Sequence, residues 1–160
     1  MNRILGSAAL VAAGLFTLAL PAAGHVGLSP DEARKGETVV LAFGIGHGCE
    51  GNPTTTVRLQ IPEGVISVQP YAMPGWEIEL VTGNYATSHM RGEIPVTEGV
   101  TQINWTGGSL DNALYGEFRI RARVADDVAD ESMVWFPVVQ ECAAGGTHRW
   151  IQVPVEGQPE

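Results

Sequence analysis

The chain has 160 residues, with nine Lys and Arg against eighteen Asp and Glu, and a formal net charge of −9. This length suits one domain with an ordinary hydrophobic core. The acidic balance argues against nucleic acid or an anionic membrane surface as a partner.

The first 24 residues have the three parts of a secretory signal peptide. A basic start at Arg3 precedes an apolar run from Ile4 to Leu20 and the small-residue ending Ala22-Ala23-Gly24. The run has the length of a signal core and no stop-transfer pattern follows it, which disfavours a transmembrane helix. We therefore predict cleavage after Gly24. The product would be a periplasmic or secreted protein with no stable membrane insertion, and its charge would be about −10 because Arg3 is lost.

His25 would then become the first residue of the mature chain. An N-terminal histidine offers its free amine and its ring Nδ1 to one metal ion, in a chelate ring that an internal histidine does not form. Nitrogen donors of this kind suit Cu(II), which prefers tetragonal sets of nitrogen and oxygen. The alternative is an ordinary frayed terminus.

Residues 25–155 alternate apolar and polar side chains between turns rich in Gly, Pro and Asn, with no convincing helical period. This pattern predicts an all-β fold, a two-sheet antiparallel sandwich. The two clearest strands cover residues 54–61 and 117–124. In the first, the side chains predicted to face outward are Thr54, Thr56, Arg58 and Gln60. In the second, the apolar face holds Phe118, Ile120, Ala122 and Val124.

Six further strands are predicted, at residues 38–43, 65–69, 76–81, 100–105, 132–139 and 149–153. Turns are predicted at residues 62–64, 74–75 and 106–108, where Pro or Gly supplies the backbone conformation, and one helical turn near residues 126–130. Trp76, Trp105 and Trp135 lie in predicted strands, so we expect their rings to pack between the sheets. Residues 156–160 form a short polar C-terminal tail.

The chain has two cysteines, Cys49 and Cys142. Export to an oxidising compartment makes a disulfide between them the expected state. Thiolate ligation of a metal is the alternative, but the two residues lie far apart and lack the close spacing of zinc motifs.

Glu50 lies beside Cys49 in a loop at residues 46–53, so a disulfide would hold its carboxylate in place. A single Glu is otherwise usually a solvated surface residue. His47 precedes Glu50 by three residues and is a candidate extra nitrogen ligand, since imidazole commonly binds copper.

Trp150 fits either a core position or an apolar wall beside a site, and His148 lies on the same segment. His89 beside Met90, without a Met-rich repeat, is typical of a surface position rather than of Cu(I) ligation. The sequence has no glycine-rich loop leading into a phosphate-binding helix and no nucleophile elbow, so no enzymatic activity is predicted.

Several short motifs occur together in the order of a known family. They are His25-Val26, Glu50 followed by Asn52-Pro53-Thr54-Thr55, Ile61-Pro62-Glu63-Gly64-Val65, Met73-Pro74-Gly75-Trp76, Ile103-Asn104-Trp105-Thr106-Gly107-Gly108 and Arg149-Trp150-Ile151. Together they resemble the YcnI-like family, also called the domain of unknown function 1775, over essentially the whole mature chain.

The resemblance implies an immunoglobulin- or cupredoxin-like sandwich that binds Cu(II) through a monohistidine brace. Carried onto this chain, the ligands would be the amine and Nδ1 of His25 and the carboxylate of Glu50. Trp150 would lie beside the metal and limit the access of water. This sequence departs from some relatives by carrying the Cys49/Cys142 pair and His47 and by lacking a C-terminal membrane anchor and a second copper domain. His47 leaves open whether the brace has one histidine.

The expected function is sequestration, acquisition or delivery of Cu(II), in the manner of a metallochaperone. Its partner would be a periplasmic copper chaperone or a membrane copper transporter. One alternative is a copper oxidase or oxygenase, which would need a second histidine such as His47 or His148. The other is a metal-free adhesion or interaction sandwich.

Overall fold

The structure, a computed structural model, describes residues 26–152. The predicted signal peptide, His25 and the predicted tail lie outside that range. The strands are β1 (Gly27–Ser29), β2 (Thr38–Ile45), β3 (Thr54–Gln60), β4 (Val65–Pro70), β5 (Glu77–Arg91), β6 (Ile94–Leu110), β7 (Gly116–Val124), β8 (Val138–Cys142) and β9 (Thr147–Trp150). One turn of 3₁₀ helix covers Ala143–Gly145. Across residues 26–152, no helix is both long enough and apolar enough to span a membrane.

The strands form two sheets in which all neighbours are antiparallel, so the predicted sandwich is confirmed. One sheet has four strands in the order β1-β2-β7-β4, and the other has five in the order β5-β6-β3-β8-β9. The core lies between them, where the ring of Trp105 in β6 meets the ring of Phe118 in β7 at a centroid distance of 5.4 Å.

Strand β7 follows the sequence pattern directly. Phe118, Ile120 and Ala122 are almost completely buried, while Arg119 and Arg121 between them are exposed. Successive side chains of a strand point to opposite faces, so this alternation places one face in the core and the other in water.

Strand β3 departs from its predicted pattern at its first residue. Thr54, predicted to face outward, is completely buried. The pairing of β3 with both β6 and β8 shifts register between Thr54 and Thr56, and a bulge of this kind changes the face to which a side chain points. The buried Thr54 Oγ1 accepts a hydrogen bond of 2.6 Å from the Gln140 amide, so its burial is compensated.

The same irregularity explains why residues 106–108 are not a turn. Gly107 lies inside β6 with a φ of 73°, a conformation that glycine adopts without strain, and the strand continues to Leu110. Strands β5 and β6 are therefore longer than predicted, and they form a hairpin that extends beyond β3.

Other predictions in the second half of the chain are wrong. Residues 132–137 form no strand, β8 begins only at Val138, and Trp135 is 39% exposed rather than packed between the sheets. Residues 126–130 form turns without a helical turn, and the short strand β1 was not predicted. Residues 126–130 and β1 are too short or too polar to carry a clear period. Residues 132–137 contain a continuous apolar run without alternation and end in Pro137, which has no backbone N–H to donate to a neighbouring strand.

The sandwich has two ends, and strand direction decides which loops share them. The disulfide end holds the last residue of β2, Ile45, with the start of β3 and Cys142 at the end of β8. The hairpin end holds the start of β2 and the last residue of β7, Val124, together with the tip of the β5–β6 hairpin.

Candidate metal centre

The loop that follows β2 is fixed at the disulfide end by several bonds. Cys49 is joined to Cys142, with a Cα–Cα distance of 5.8 Å, so the predicted disulfide is confirmed. Cys49 and Asn52 exchange backbone hydrogen bonds of 3.1 and 2.9 Å, and the Gly48 N–H donates to Asn112 Oδ1 at 3.1 Å. The loop is therefore tied to β8 and to the loop between β6 and β7.

Glu50 stands at the tip of this loop. Its backbone has a φ of 50°, in the left-handed region, and is followed by Gly51 with a φ of 83°. The residue is exposed, so its carboxylate is accessible to an ion from solution. The cross-link at the neighbouring Cys49 limits the movement of the backbone that carries this carboxylate.

His47 is half-buried at the start of the same loop. Its ring Nδ1 lies 2.6 Å from the carbonyl oxygen of Gly48. A carbonyl oxygen only accepts hydrogen bonds, so Nδ1 is the donor, and in the neutral imidazole the lone pair is on Nε2. The His47 carbonyl oxygen accepts a hydrogen bond of 2.8 Å from the buried Gln140 amide.

His148 and Trp150 project from one face of β9, two residues apart. Their rings stack with a centroid distance of 5.7 Å and an interplanar angle of 28°. The centroid of the His148 ring also lies 6.1 Å from that of the His47 ring, and the two ring planes are at 87°. Trp150 is half-buried against the core. Trp150 therefore contacts both the core and the His148 ring.

The chain approaches this end through β1. Gly27 pairs with Gly44, so β1 followed backwards runs toward Ile45 and the His47–Asn52 loop. Val26 is half-buried and packs against the core. His25, the predicted terminal ligand, lies outside the described residues.

These donors fit a metal that accepts nitrogen and oxygen, but they do not complete a site. In the described part of the chain, no three His, Cys, Asp or Glu side chains are grouped closely enough to hold a metal ion. The disulfide occupies both sulfur atoms, so the described donors at this end are imidazoles and a carboxylate. A centre with three or more such ligands here would need a donor from outside residues 26–152.

A second histidine cluster lies at the hairpin end, where sequence reasoning expected a surface residue. His89 is 5% exposed. Its Nδ1 lies 3.0 Å from an Asp127 carboxylate oxygen and its Nε2 lies 2.8 Å from Glu63 Oε2. The ring of Tyr85 packs against it at 5.3 Å.

Burial lowers the pKa of His89. Hydrogen bonds to Glu63 and Asp127 and the negative charges of both raise it by more than burial lowers it, so the pKa of His89 is raised overall. The pKa of Glu63 is lowered, first by a hydrogen bond from the Ala86 N–H, and that of Asp127 is lowered, first by one from the Met90 N–H. The two carboxylates therefore favour the imidazolium form of His89, whereas the Gly64 N–H, 3.0 Å from Nε2, is a donor that suits the neutral ring. His89 is held between these two side chains and is not available as a ligand.

Sequence reasoning missed three elements of these clusters. The contact of His47 with His148 joins residues about a hundred positions apart, and no local pattern reports it. The role of Gln140 depends on a side chain crossing to another loop. The third element, the shared face of His148 and Trp150, could have been predicted from the sequence, because residues two apart in a strand point the same way.

Comparison with known proteins identifies the type of fold and the family. The chain resembles a solved structure described as an uncharacterized protein from Nocardia farcinica with an immunoglobulin-like fold. The identity is 20% and the TM-score 0.60, over 85% of this chain and 90% of that one. A search of curated proteins finds no match. The sequence profile described as the domain of unknown function DUF1775 matches residues 25–160, so the chain belongs to that family.

Proposed function

We propose that this protein binds Cu(II) outside the cytoplasm and sequesters it or passes it to a partner, without catalysing a reaction. The amine and Nδ1 of His25 and the carboxylate of Glu50 would be its ligands. Trp150 would cover the site and limit the access of water. Two nitrogens and one carboxylate, without thiolate or thioether, favour Cu(II) over softer ions.

The observation that carries this proposal is the convergence of separate chain segments at the disulfide end. Gly27 pairs with Gly44, which directs the preceding residues toward the loop that holds Glu50. The stacked Trp150 and His148 of β9 lie against His47 of the same loop. A donor that precedes Val26 would be needed to complete a site there, and His25 is two positions before Gly27.

Two further findings support an exported protein that begins at His25. The family match starts at residue 25, directly after the segment predicted to be a signal peptide. The Cys49–Cys142 disulfide is a bond that persists in oxidising compartments and is rare in the cytoplasm. The copper partner is proposed to be a periplasmic chaperone or a membrane transporter.

The test compares the mature chain beginning at His25 with the same chain preceded by one alanine. The added residue converts the terminal amine of His25 into an amide and leaves every side chain in place. We expect Cu(II) affinity, measured by competition titration, to fall at least 100-fold, and the electron paramagnetic resonance spectrum to lose nitrogen coupling. Unchanged affinity would refute the terminal chelate.

Substitution of Glu50 provides the second arm of this test. Glu50→Gln should lower Cu(II) affinity by 10-fold or more, because the amide is a neutral and poorer ligand. Glu98→Gln, at an exposed position of β6, serves as the matched control and should change nothing. Excess Cu(II) should raise the melting temperature of the mature protein, since a ligand of the folded state stabilises it.

A metal-free interaction sandwich is a second candidate, and one observation favours it. Leu114 and Tyr115 are 58% and 65% exposed in the loop between β6 and β7, at the disulfide end. Exposed large apolar side chains often mark a contact surface. If excess Cu(II) left the melting temperature of the mature protein unchanged, this second function would replace the first.

A further inference from the structure

The two histidines at the disulfide end form a pair of their own. The ring centroids of His47 and His148 are 6.1 Å apart, and the planes are nearly perpendicular at 87°. Both residues are half-buried, so solvent reaches them while the surrounding protein limits their motion. Imidazole nitrogen binds metals at about 2.0 Å, which places two rings that share one ion nearly in line at centroid separations of roughly 6 Å.

The loop sets the tautomer of the neutral His47 ring. Its Nδ1–H donates to the Gly48 carbonyl at 2.6 Å, leaving the lone pair on Nε2. Metal-binding histidines usually have this arrangement, in which a carbonyl or carboxylate holds one nitrogen and fixes the tautomer for the other.

The scaffold fixes the separation of the two rings. Gln140 pairs with His148 across β8 and β9, and its side-chain amide donates to the His47 carbonyl at 2.8 Å. The disulfide ties the His47 loop to the end of the same strand β8. A pair of ligands held in this way loses little conformational freedom when it binds an ion.

We infer that His47 and His148 form a two-imidazole site for Cu(I), adjacent to the proposed Cu(II) ligands and distinct from them. The inference rests on the proposed function for the choice of copper as the metal. A monovalent d¹⁰ ion accepts two neutral ligands in a nearly linear arrangement. Zn²⁺ takes four ligands, and Cu(II) prefers a tetragonal set, so two imidazoles satisfy neither.

Trp150 borders the proposed two-imidazole site. Its ring stacks on His148 at 5.7 Å and covers one side of that imidazole. An aromatic face beside a bound cation also contributes a cation–π attraction when water is excluded. The protein would thus hold copper supplied in either oxidation state, and no electron transfer by the protein is required.

The test is an anaerobic competition titration of the disulfide-intact mature protein with Cu(I) and the chromogenic chelator bicinchoninate. His47→Ala and His148→Ala should each lower Cu(I) affinity at least 10-fold and leave Cu(II) affinity within about 3-fold. His89→Gln is the matched control and should leave Cu(I) affinity unchanged. X-ray absorption of the Cu(I) protein should show the edge of a two-coordinate ion with nitrogen neighbours.

The outcomes separate this inference from the proposed function. Loss of Cu(II) binding in the alanine-extended chain, with Cu(I) binding retained, is the expected pattern for two sites. Failure of the wild type to bind Cu(I), or unchanged affinity in both histidine variants, would overturn the pair while leaving the Cu(II) proposal standing. If the wild type binds Cu(I) but not Cu(II), the proposed function fails and the pair stands. Melting temperatures of His47→Ala and His148→Ala near that of the wild type would show that they fold, and a cooperative unfolding transition would show it for the less stable His89→Gln.

Discussion

Histidines at the two ends of the sandwich are held in opposite ways. At the hairpin end, both nitrogens of His89 face carboxylates, and the ring is 5% exposed. At the disulfide end, His47 donates one N–H to a backbone carbonyl rather than to a carboxylate, while His148 packs against rings. The partners of the two nitrogens therefore decide whether an imidazole stabilises the fold or remains available as a ligand.

The largest expected effect concerns the cross-link of the disulfide end. Replacing Cys49 and Cys142 together by alanine should lower the free energy of unfolding by about 4 kcal/mol, since the bond closes a long loop of the unfolded chain. Urea unfolding measures this loss. Hydrogen exchange should accelerate at residues 46–52 more than around His89. An equal acceleration at both ends would contradict the local anchoring described for the loop.

The next effect tests how tightly the loop backbone is packed. A Cβ built on Gly48 would lie 1.7 Å from the backbone oxygen of Asn52, so Gly48→Ala must displace the turn. We expect a loss of about 1–3 kcal/mol, as for other overpacked positions.

Gly44→Ala is the matched comparison for Gly48→Ala. Its Cβ would meet the Tyr115 hydroxyl, and that side chain is 65% exposed and free to move. The expected loss is below about 1 kcal/mol. Thermal unfolding of both variants compares the two losses of stability. A larger loss for Gly44→Ala would show that the Tyr115 side chain does not move aside.

At the hairpin end, His89→Gln should destabilise the protein by about 1–2 kcal/mol near pH 5.5, because the carboxylates lose charged hydrogen bonds. The raised pKa of His89 means that its contribution is complete below its unfolded pKa, about 6.5, and is lost as the pH rises through the folded pKa. The lowered pKa values of Glu63 and Asp127 mean that their contributions are lost as the pH falls below about 4.

The cluster therefore stabilises the fold most between about pH 4.5 and 6.5. The difference in melting temperature between wild type and His89→Gln should be largest in that window and shrink toward pH 8.5. A difference that grew with pH would show that His89 is neutral in the folded protein. In the neutral form, Nε2 would accept from the Gly64 N–H at 3.0 Å rather than donate to Glu63.

The smallest effect completes the comparison between the ends. His148→Ala should change the free energy of unfolding by less than about 0.5 kcal/mol, as is usual for partly exposed residues without a structural hydrogen bond. Thermal unfolding of the metal-free protein measures it. A loss equal to that of His89→Gln would assign His148 a structural role and remove the contrast.

The sequence predicts the sandwich because strands such as β7 bury every second residue, and their period of two is visible without tertiary information. Thr54 was assigned to the wrong face because a bulge reverses side-chain direction, and Gly107 was assigned to a turn because glycine with positive φ occurs in bulges as well as in turns. The position of the bulge depends on pairing between distant strands. The residues of the candidate site also divide into those that the sequence could predict and those that depend on the fold. Cys49, Cys142 and the loop of Glu50 were predictable from composition and compartment, whereas the His47–His148 pair and the partners of His89 require the folded chain.

The bond between Cys49 and Cys142 also makes the geometry of the disulfide end depend on redox conditions. A chain in a reducing compartment lacks the cross-link, and its His47 loop is then held to β8 through hydrogen bonds such as the one from the Gln140 amide to the His47 carbonyl. If copper binds at this end as proposed, reduction of the disulfide should weaken that binding by loosening the loop that carries His47 and Glu50.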